Sequence, residues 1–156
     1  MHAVLDALQQ HFAGGAVEAS VSHGVLVLFV APVELAGTVQ RLKAEHGFDM
    51  LLDVTAVDWP QRDPRFDVVY HLYSTRDFVR VRIKTAVAEA DPVVQSLVAL
   101  YGSARFLERE CHDMYGIEFR GHGDLRPILL YEGFAGHPLR KDYPKAREQP
   151  LVPSRE

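Results

Sequence analysis

Eight histidines, a single cysteine and the charged run Glu108-Arg109-Glu110-Cys111-His112-Asp113 are the residues that could carry chemistry in this 156-residue chain. A zinc site needs three or four converging ligands. The closest plausible pair is His112 with Glu108 one helical turn earlier, and no His-x-x-x-His or Glu-x-x-His spacing occurs. No metal site is expected. Cys111 alone cannot form an intrachain disulfide or a multi-cysteine zinc or iron–sulfur centre. Neighbouring residues on a helix diverge by about 100°, so His112 is badly placed to take the thiol proton, and Cys111 reads as a buried, inert residue. Gly121-His122-Gly123 holds the first two glycines of a dinucleotide fingerprint, without the third or a following helix. Nucleotide binding is therefore not supported.

The elements that must position these residues follow from periodicity. Phe106, Leu107, Glu110, Cys111 and Met114 share one face of a helix predicted over 103–115, with Gly116 as its left-handed stop. Arg109–Asp113 and Glu108–His112 stand at i, i+4, so helix-internal pairs account for part of the charge. Glu110 falls on the apolar face, where a carboxylate needs a cation; Arg126, Arg140 and Lys141 are the candidates.

Upstream, Val4, Leu5, Leu8 and Phe12 predict a first helix ending at Gly14-Gly15. Residues 17–21 and 24–30 read as a hairpin turning at Ser22-His23-Gly24. Pro32 opens a second helix with the stripe Leu35, Val39 and Leu42, stopped by Gly47. Residues 48–59 read as a strand with Met50-Leu51-Leu52 as its buried part. Residues 60–64 form a loop, and strands over 66–73 and 78–85 follow. In the latter, Val79, Val81 and Ile83 alternate with Arg80, Arg82 and Lys84, so one face is wet or meets an acidic neighbour. Asp91-Pro92 predicts a helix N-terminus before Val93, Val94, Leu97, Leu100 and Tyr101. Together these elements predict an α+β two-layer sandwich: one mixed or antiparallel sheet covered by helices.

Apolar residues at 47% and charged residues at 24% describe a globular chain with a real core. A net charge of −4 disfavours a nucleic-acid binder. The stretch 19–33 is too short and too polar to span a membrane, and Met1–Asp6 lacks the basic start of a signal peptide. Charge is uneven: residues 1–119 hold 10 Lys/Arg and 16 Asp/Glu, whereas 120–156 hold 7 and 5 with five of the nine prolines. The expected organisation is therefore an α+β domain over 1–119 and an extended, irregular tail over 120–156 that lies on the domain itself or on a second protein. Ile128, Leu129, Leu130, Tyr131, Phe134, Leu139 and Tyr143 make that tail too apolar to be solvated.

Three ordered blocks between Glu108 and Pro144 complete the reading. Glu108-Arg109-Glu110-Cys111-His112-Asp113-Met114-Tyr115-Gly116-Ile117, then Gly121-His122-Gly123-Asp124-Leu125-Arg126, then Gly136-His137-Pro138-Leu139-Arg140-Lys141-Asp142-Tyr143-Pro144, resemble the C subunit of bacterial respiratory complex I, the NADH:quinone oxidoreductase. His112, Gly123 and Pro127 depart from that family's usual residues. His112 in its place resembles the related subunits of membrane-bound energy-converting hydrogenases, whereas residues 131–138 resemble complex I. The resemblance implies a cofactor-free structural subunit of the peripheral arm, with no catalytic residue of its own and with 120–156 as a partner-binding tail. FMN and iron–sulfur clusters then belong to partner subunits, and electrons pass from NADH to quinone with proton translocation. The large D subunit, which holds the quinone site, and neighbouring iron–sulfur subunits are the implied partners. The membrane is then reached only through the complex, on the cytoplasmic side of the inner membrane. The C and D subunits, fused in some bacteria, are expected to be separate polypeptides here. The rival readings are the hydrogenase-type subunit and a self-contained cytosolic enzyme using His112, His122 and His137.

Overall fold

The computed structural model describes residues 3–12 and 17–146. Helix α1 (Ala3–Phe12) is followed by strands β1 (Glu18–Ser22) and β2 (Val25–Phe29), a 3-10 turn at Pro32–Glu34 and helix α2 (Leu35–His46). Strands β3 (Met50–Asp58), β4 (Phe66–Ser74), β5 (Val79–Val87) and β6 (Val93–Gln95) precede helix α3 (Ala104–Tyr115) and strand β7 (Glu118–Arg120). The main sheet runs β1-β2-β5-β4-β3, antiparallel except for the parallel β2–β5 pair. Short β6 and β7 form a separate parallel pair. This is the expected mixed-sheet α+β sandwich.

Alternation decides which side of the sheet is core. Leu26 and Leu28 of β2, Val81 and Ile83 of β5, Tyr70 and Leu72 of β4, and Val54 and Ala56 of β3 join Leu8, Phe12, Leu35, Val39, Leu42, Ala104 and Cys111 in one buried cluster. Residues contributed by all three helices thus lie on the same face. The β1–β2 turn has His23 and Gly24 both at positive φ (52° and 76°), the geometry that matches strand twist in two-residue hairpins. Gly47 closes α2 in the left-handed conformation, donating its N–H to the Leu42 carbonyl.

Three expectations are corrected. The segment expected as a helix over 91–101 is strand β6 followed by turns, because Val93, Val94 and Gln95 pair with Glu118, Phe119 and Arg120. The β-branched pair finds a ladder about 25 residues away that no local spacing displays. Met50 and Leu52 are exposed and only Leu51 is buried, since the register shifts between Leu51 and Asp53 and such a bulge turns side chains out of the pleat. On α3 the buried residues are Ala104, Glu108, Cys111 and Asp113; Glu110 is exposed and Phe106 is 57% exposed. The side chains of Val4 and Leu5, and Gly14-Gly15, lie outside the described residues.

Candidate functional site

Helix α3 and the chain after β7 form one polar lock around two carboxylates. Glu108 is fully buried. Its oxygens accept the Ser96 hydroxyl at 2.6 Å and the Leu97 backbone N–H at 2.7 Å, so the carboxylate holds the turn that leaves β6. Burial pushes its pKa up to about 7 against these two hydrogen bonds. The His122 ring stands 4.0 Å away, its Nε2 bonded to the Arg105 carbonyl and its Nδ1 accepting the Asp124 N–H. These bonds fit the neutral ring protonated on Nε2.

Asp113 takes a different set of donors. Its Oδ2 accepts the backbone N–H groups of Ile128, Leu129 and Leu130 at 2.8, 2.9 and 3.3 Å. Burial opposes the charge, but the three donors hold its pKa below the ordinary carboxylate value. Arg109 holds the same loop from the other side, donating to the carbonyls of Arg126 and Pro127. The Arg109–Asp113 pair expected along α3 therefore gives way to contacts with the tail, and in place of the Glu108–His112 pair Glu108 bonds the turn after β6 while His112 bonds the Ile117 carbonyl. Glu110 is not the buried carboxylate. Arg126 chelates Asp124, drawing its pKa down to about 2. Arg140 and Lys141 face other partners.

The last turn of α3 leaves four carbonyls that the helix itself cannot satisfy. Each has a donor. Gly116 N–H bonds His112 O at 2.7 Å, His137 Nδ1 meets Asp113 O at 2.9 Å, Leu139 N–H bonds Met114 O at 3.1 Å, and Arg140 Nε bonds Tyr115 O at 2.6 Å. The block 136–144 is thus a helix cap supplied from twenty residues downstream. Gly116 is required twice over: its φ is +74°, and a Cβ there would lie 2.5 Å from His137 Nε2 and 2.8 Å from Arg140 Nη2. At Gly136 (φ +99°) a Cβ would lie 2.9 Å from the Tyr143 ring, which stacks on Phe134. Tyr115 hydrogen-bonds Thr55, and Leu125 packs against the core. Gly121 is exposed beyond β7, Pro138 half-buried, and Pro144 exposed.

A second anchor was not anticipated. Arg65 chelates Asp58 at 2.7 and 2.9 Å and also reaches Glu89 at 2.7 Å and Asp142 at 3.0 Å. Asp58 in turn accepts the Lys141 N–H at 2.8 Å. The Arg140 guanidinium lies over the Phe66 ring and the Lys141 ammonium over Trp59. One signal was available: Asp58 continues the inward parity of Val54 and Ala56, so a buried cationic partner was implied.

This arrangement fastens the tail to the domain. A cavity of about 170 Å³ is lined by His112, Asp113, Leu130, Tyr131, Phe134 and His137. His112 Nδ1 is engaged by the Ile117 carbonyl and His137 Nδ1 by that of Asp113, while His122 lies in the Glu108 pocket and does not join them. Cys111 is buried, and burial pushes its thiol pKa far up, which disfavours the thiolate.

A mixed-sheet α+β domain whose own tail caps its last helix defines the class of fold. The family model for the respiratory-chain NADH dehydrogenase 30 kDa subunit matches residues 28–149, and the chain belongs to that family. The C subunit of the Agrobacterium fabrum NADH-quinone oxidoreductase is 50% identical over 130 residues, covering 82% of this chain and 64% of that protein. Its counterpart from a Ruegeria species is 49% identical over 126 residues, covering 80% and 62%. The chain therefore spans less than two thirds of these relatives' length. Among solved structures, the trypsin-resistant fragment (1-134) of Nqo5 superposes with a TM-score of 0.73 at 31% identity, covering 78% of this chain and 99% of the fragment. A chain of the archaeal membrane-bound sulfane sulfur reductase shares the fold at a TM-score of 0.78 and 24% identity, covering 90% and 85%.

Proposed function

We propose that this chain is a non-catalytic, cofactor-free scaffold in the peripheral arm of an NADH:quinone oxidoreductase. FMN and the iron–sulfur clusters reside in partner subunits, which carry electrons from NADH to quinone coupled to proton translocation. The segment from Arg120 onward contacts the large quinone-site subunit and adjacent iron–sulfur subunits. The chain sits at the cytoplasmic side of the inner membrane and reaches it through the complex; among the described residues no helix is long and apolar enough to cross a bilayer.

One observation carries this reading. Tail groups turn inward onto α3 and Arg65, while Ile128, Leu129, Tyr131 and Leu139 stand exposed, as does Phe106 of α3. An ordered loop with apolar side chains facing outward is the anatomy of an interface core. The names of the relatives supply the complex.

A tagged chain purified from gently solubilised membranes should bring the other respiratory subunits with it. Leu129→Asp together with Leu139→Asp should sharply reduce that recovery while leaving the chain folded. Recovery of the unsubstituted chain without any other respiratory subunit overturns the proposal.

A further inference from the structure

The sheet face opposite the helices carries a second, chemically different surface. Along β5, Arg80, Arg82 and Lys84 point away from the core, about 7 Å apart. None has a carboxylate within ion-pair distance among the described residues, and Arg82 Nε is enclosed without a hydrogen-bond partner. Val27 and Val69 are 2% and 4% exposed yet lie outside the core cluster. The register explains them. Val27 sits beside Arg82 and Val69 beside Lys84, so the alkyl stems of the cations shield the valines. Phe29, 40% exposed, and Tyr73 complete the face, with Lys84 over the Phe29 ring and Arg80 over that of Tyr73.

We infer that this open sheet face docks an acidic segment of a neighbouring protein in the complex, whose carboxylates meet Arg80, Arg82 and Lys84 and whose apolar side chains seat between Phe29 and Tyr73. Charge complementarity selects the occupant, because a strand of three unpaired cations stands out in a chain of net charge −4. Glu18, Asp53 and Asp67 flank the strip on β1, β3 and β4, and such a border disfavours a lipid surface or nucleic acid, which reward broad positive fields. Burial and the Arg82 charge lower the His71 pKa, so His71 adds no positive charge at neutral pH. The surface is distinct from the tail, but the inference rests on the reading of this chain as one part of a larger complex.

The test uses the assembled complex. The double variant Arg80→Glu/Lys84→Glu should lower the salt concentration at which the chain is washed from the complex and cut its retention roughly tenfold, as reversed charges at an interface cost over a kcal/mol. Arg41→Glu, on the exposed side of α2, should not. As a second measurement needing no variant, acylation of Lys84 should be suppressed in the complex relative to the purified chain. Unchanged retention of the double variant, or equal Lys84 labelling in both states, overturns the docking face and leaves the scaffold reading intact. Isolation of the unsubstituted chain without partners overturns both. Charge-dependent binding of the purified chain to phosphatidylserine vesicles, with Lys84 unprotected in the complex, replaces the protein partner by a membrane.

Discussion

Replacing Glu108 by Gln should stabilise the protein, and only above mildly acidic pH. The carboxyl is fully buried and its pKa is raised from 4.5 to about 7 by burial, against the hydrogen bonds from Ser96 and Leu97. Between those two values the folded chain binds more protons than the unfolded one, so stability falls as pH rises through this window and levels off above it. The difference of about 2.5 units corresponds to about 3 kcal/mol at about 1.4 kcal/mol per unit. A glutamine retains both contacts, its carbonyl accepting the Leu97 N–H and its amide donating to Ser96 Oγ, without a charge to desolvate. Urea unfolding of the purified chain and the Glu108→Gln variant should give similar stabilities near pH 4.5 and diverge by about 3 kcal/mol by pH 8. Taking the difference between proteins cancels His46 and His71, whose pKa values are lowered and whose contribution to stability grows with pH. A difference that is flat with pH, or a variant less stable at pH 8, refutes the account of Glu108 as a buried, proton-accepting fastener.

The Arg65 anchor should be costlier to remove. Arg65→Ala leaves the Asp58 carboxylate buried and without its guanidinium, and calorimetry should show a loss of about 3–5 kcal/mol. Hydrogen bonds from Arg65 hold the Asp58 pKa down, a stabilisation present above its ordinary value and lost on acidification, so the deficit of Arg65→Ala should shrink toward pH 3. Asp113→Asn removes the charge that receives three backbone donors and should free the 128–130 loop for about 2–3 kcal/mol, seen as faster amide exchange there with α3 still protected. Gly116→Ala puts a Cβ against His137 and Arg140 and should detach the helix cap, so that trypsin cuts at Arg140-Lys141 several times faster while far-UV dichroism is little changed.

How much of this was readable before folding depends on the range of each interaction. The hairpins at His23-Gly24 and Ser74–Phe78 and the stripe Leu35, Val39, Leu42 rest on period and turn chemistry within a few residues, and they were legible. The 93–95 strand was not, because its valines fit a helical stripe as well as a ladder, and the deciding partner, 118–120, is distant in sequence. Glu110 reads as a core residue because Phe106 and Met114, grouped with Cys111, define the expected buried side; Cys111 is buried, but together with small Ala104, which turns Glu108 inward and Glu110 out. The Arg65 anchor escaped for want of a pairing rule that links 58, 65, 89 and 142.

The three sequence blocks also change meaning once their partners are known. Asp113, Arg109, His122, His137 and Arg140 all spend polar atoms on backbone groups of this same chain. A block whose charges are consumed internally offers a neighbour shape and apolar side chains rather than ions, so substitutions there should act by loosening the tail. The cations of β5, with no carboxylate within ion-pair distance among the described residues, offer ionic recognition on the sheet face opposite the helices. Two surfaces of opposite character on one small domain suit a part wedged between dissimilar neighbours: retention through the tail should be nearly independent of salt, and retention through the sheet should weaken as salt screens the cations.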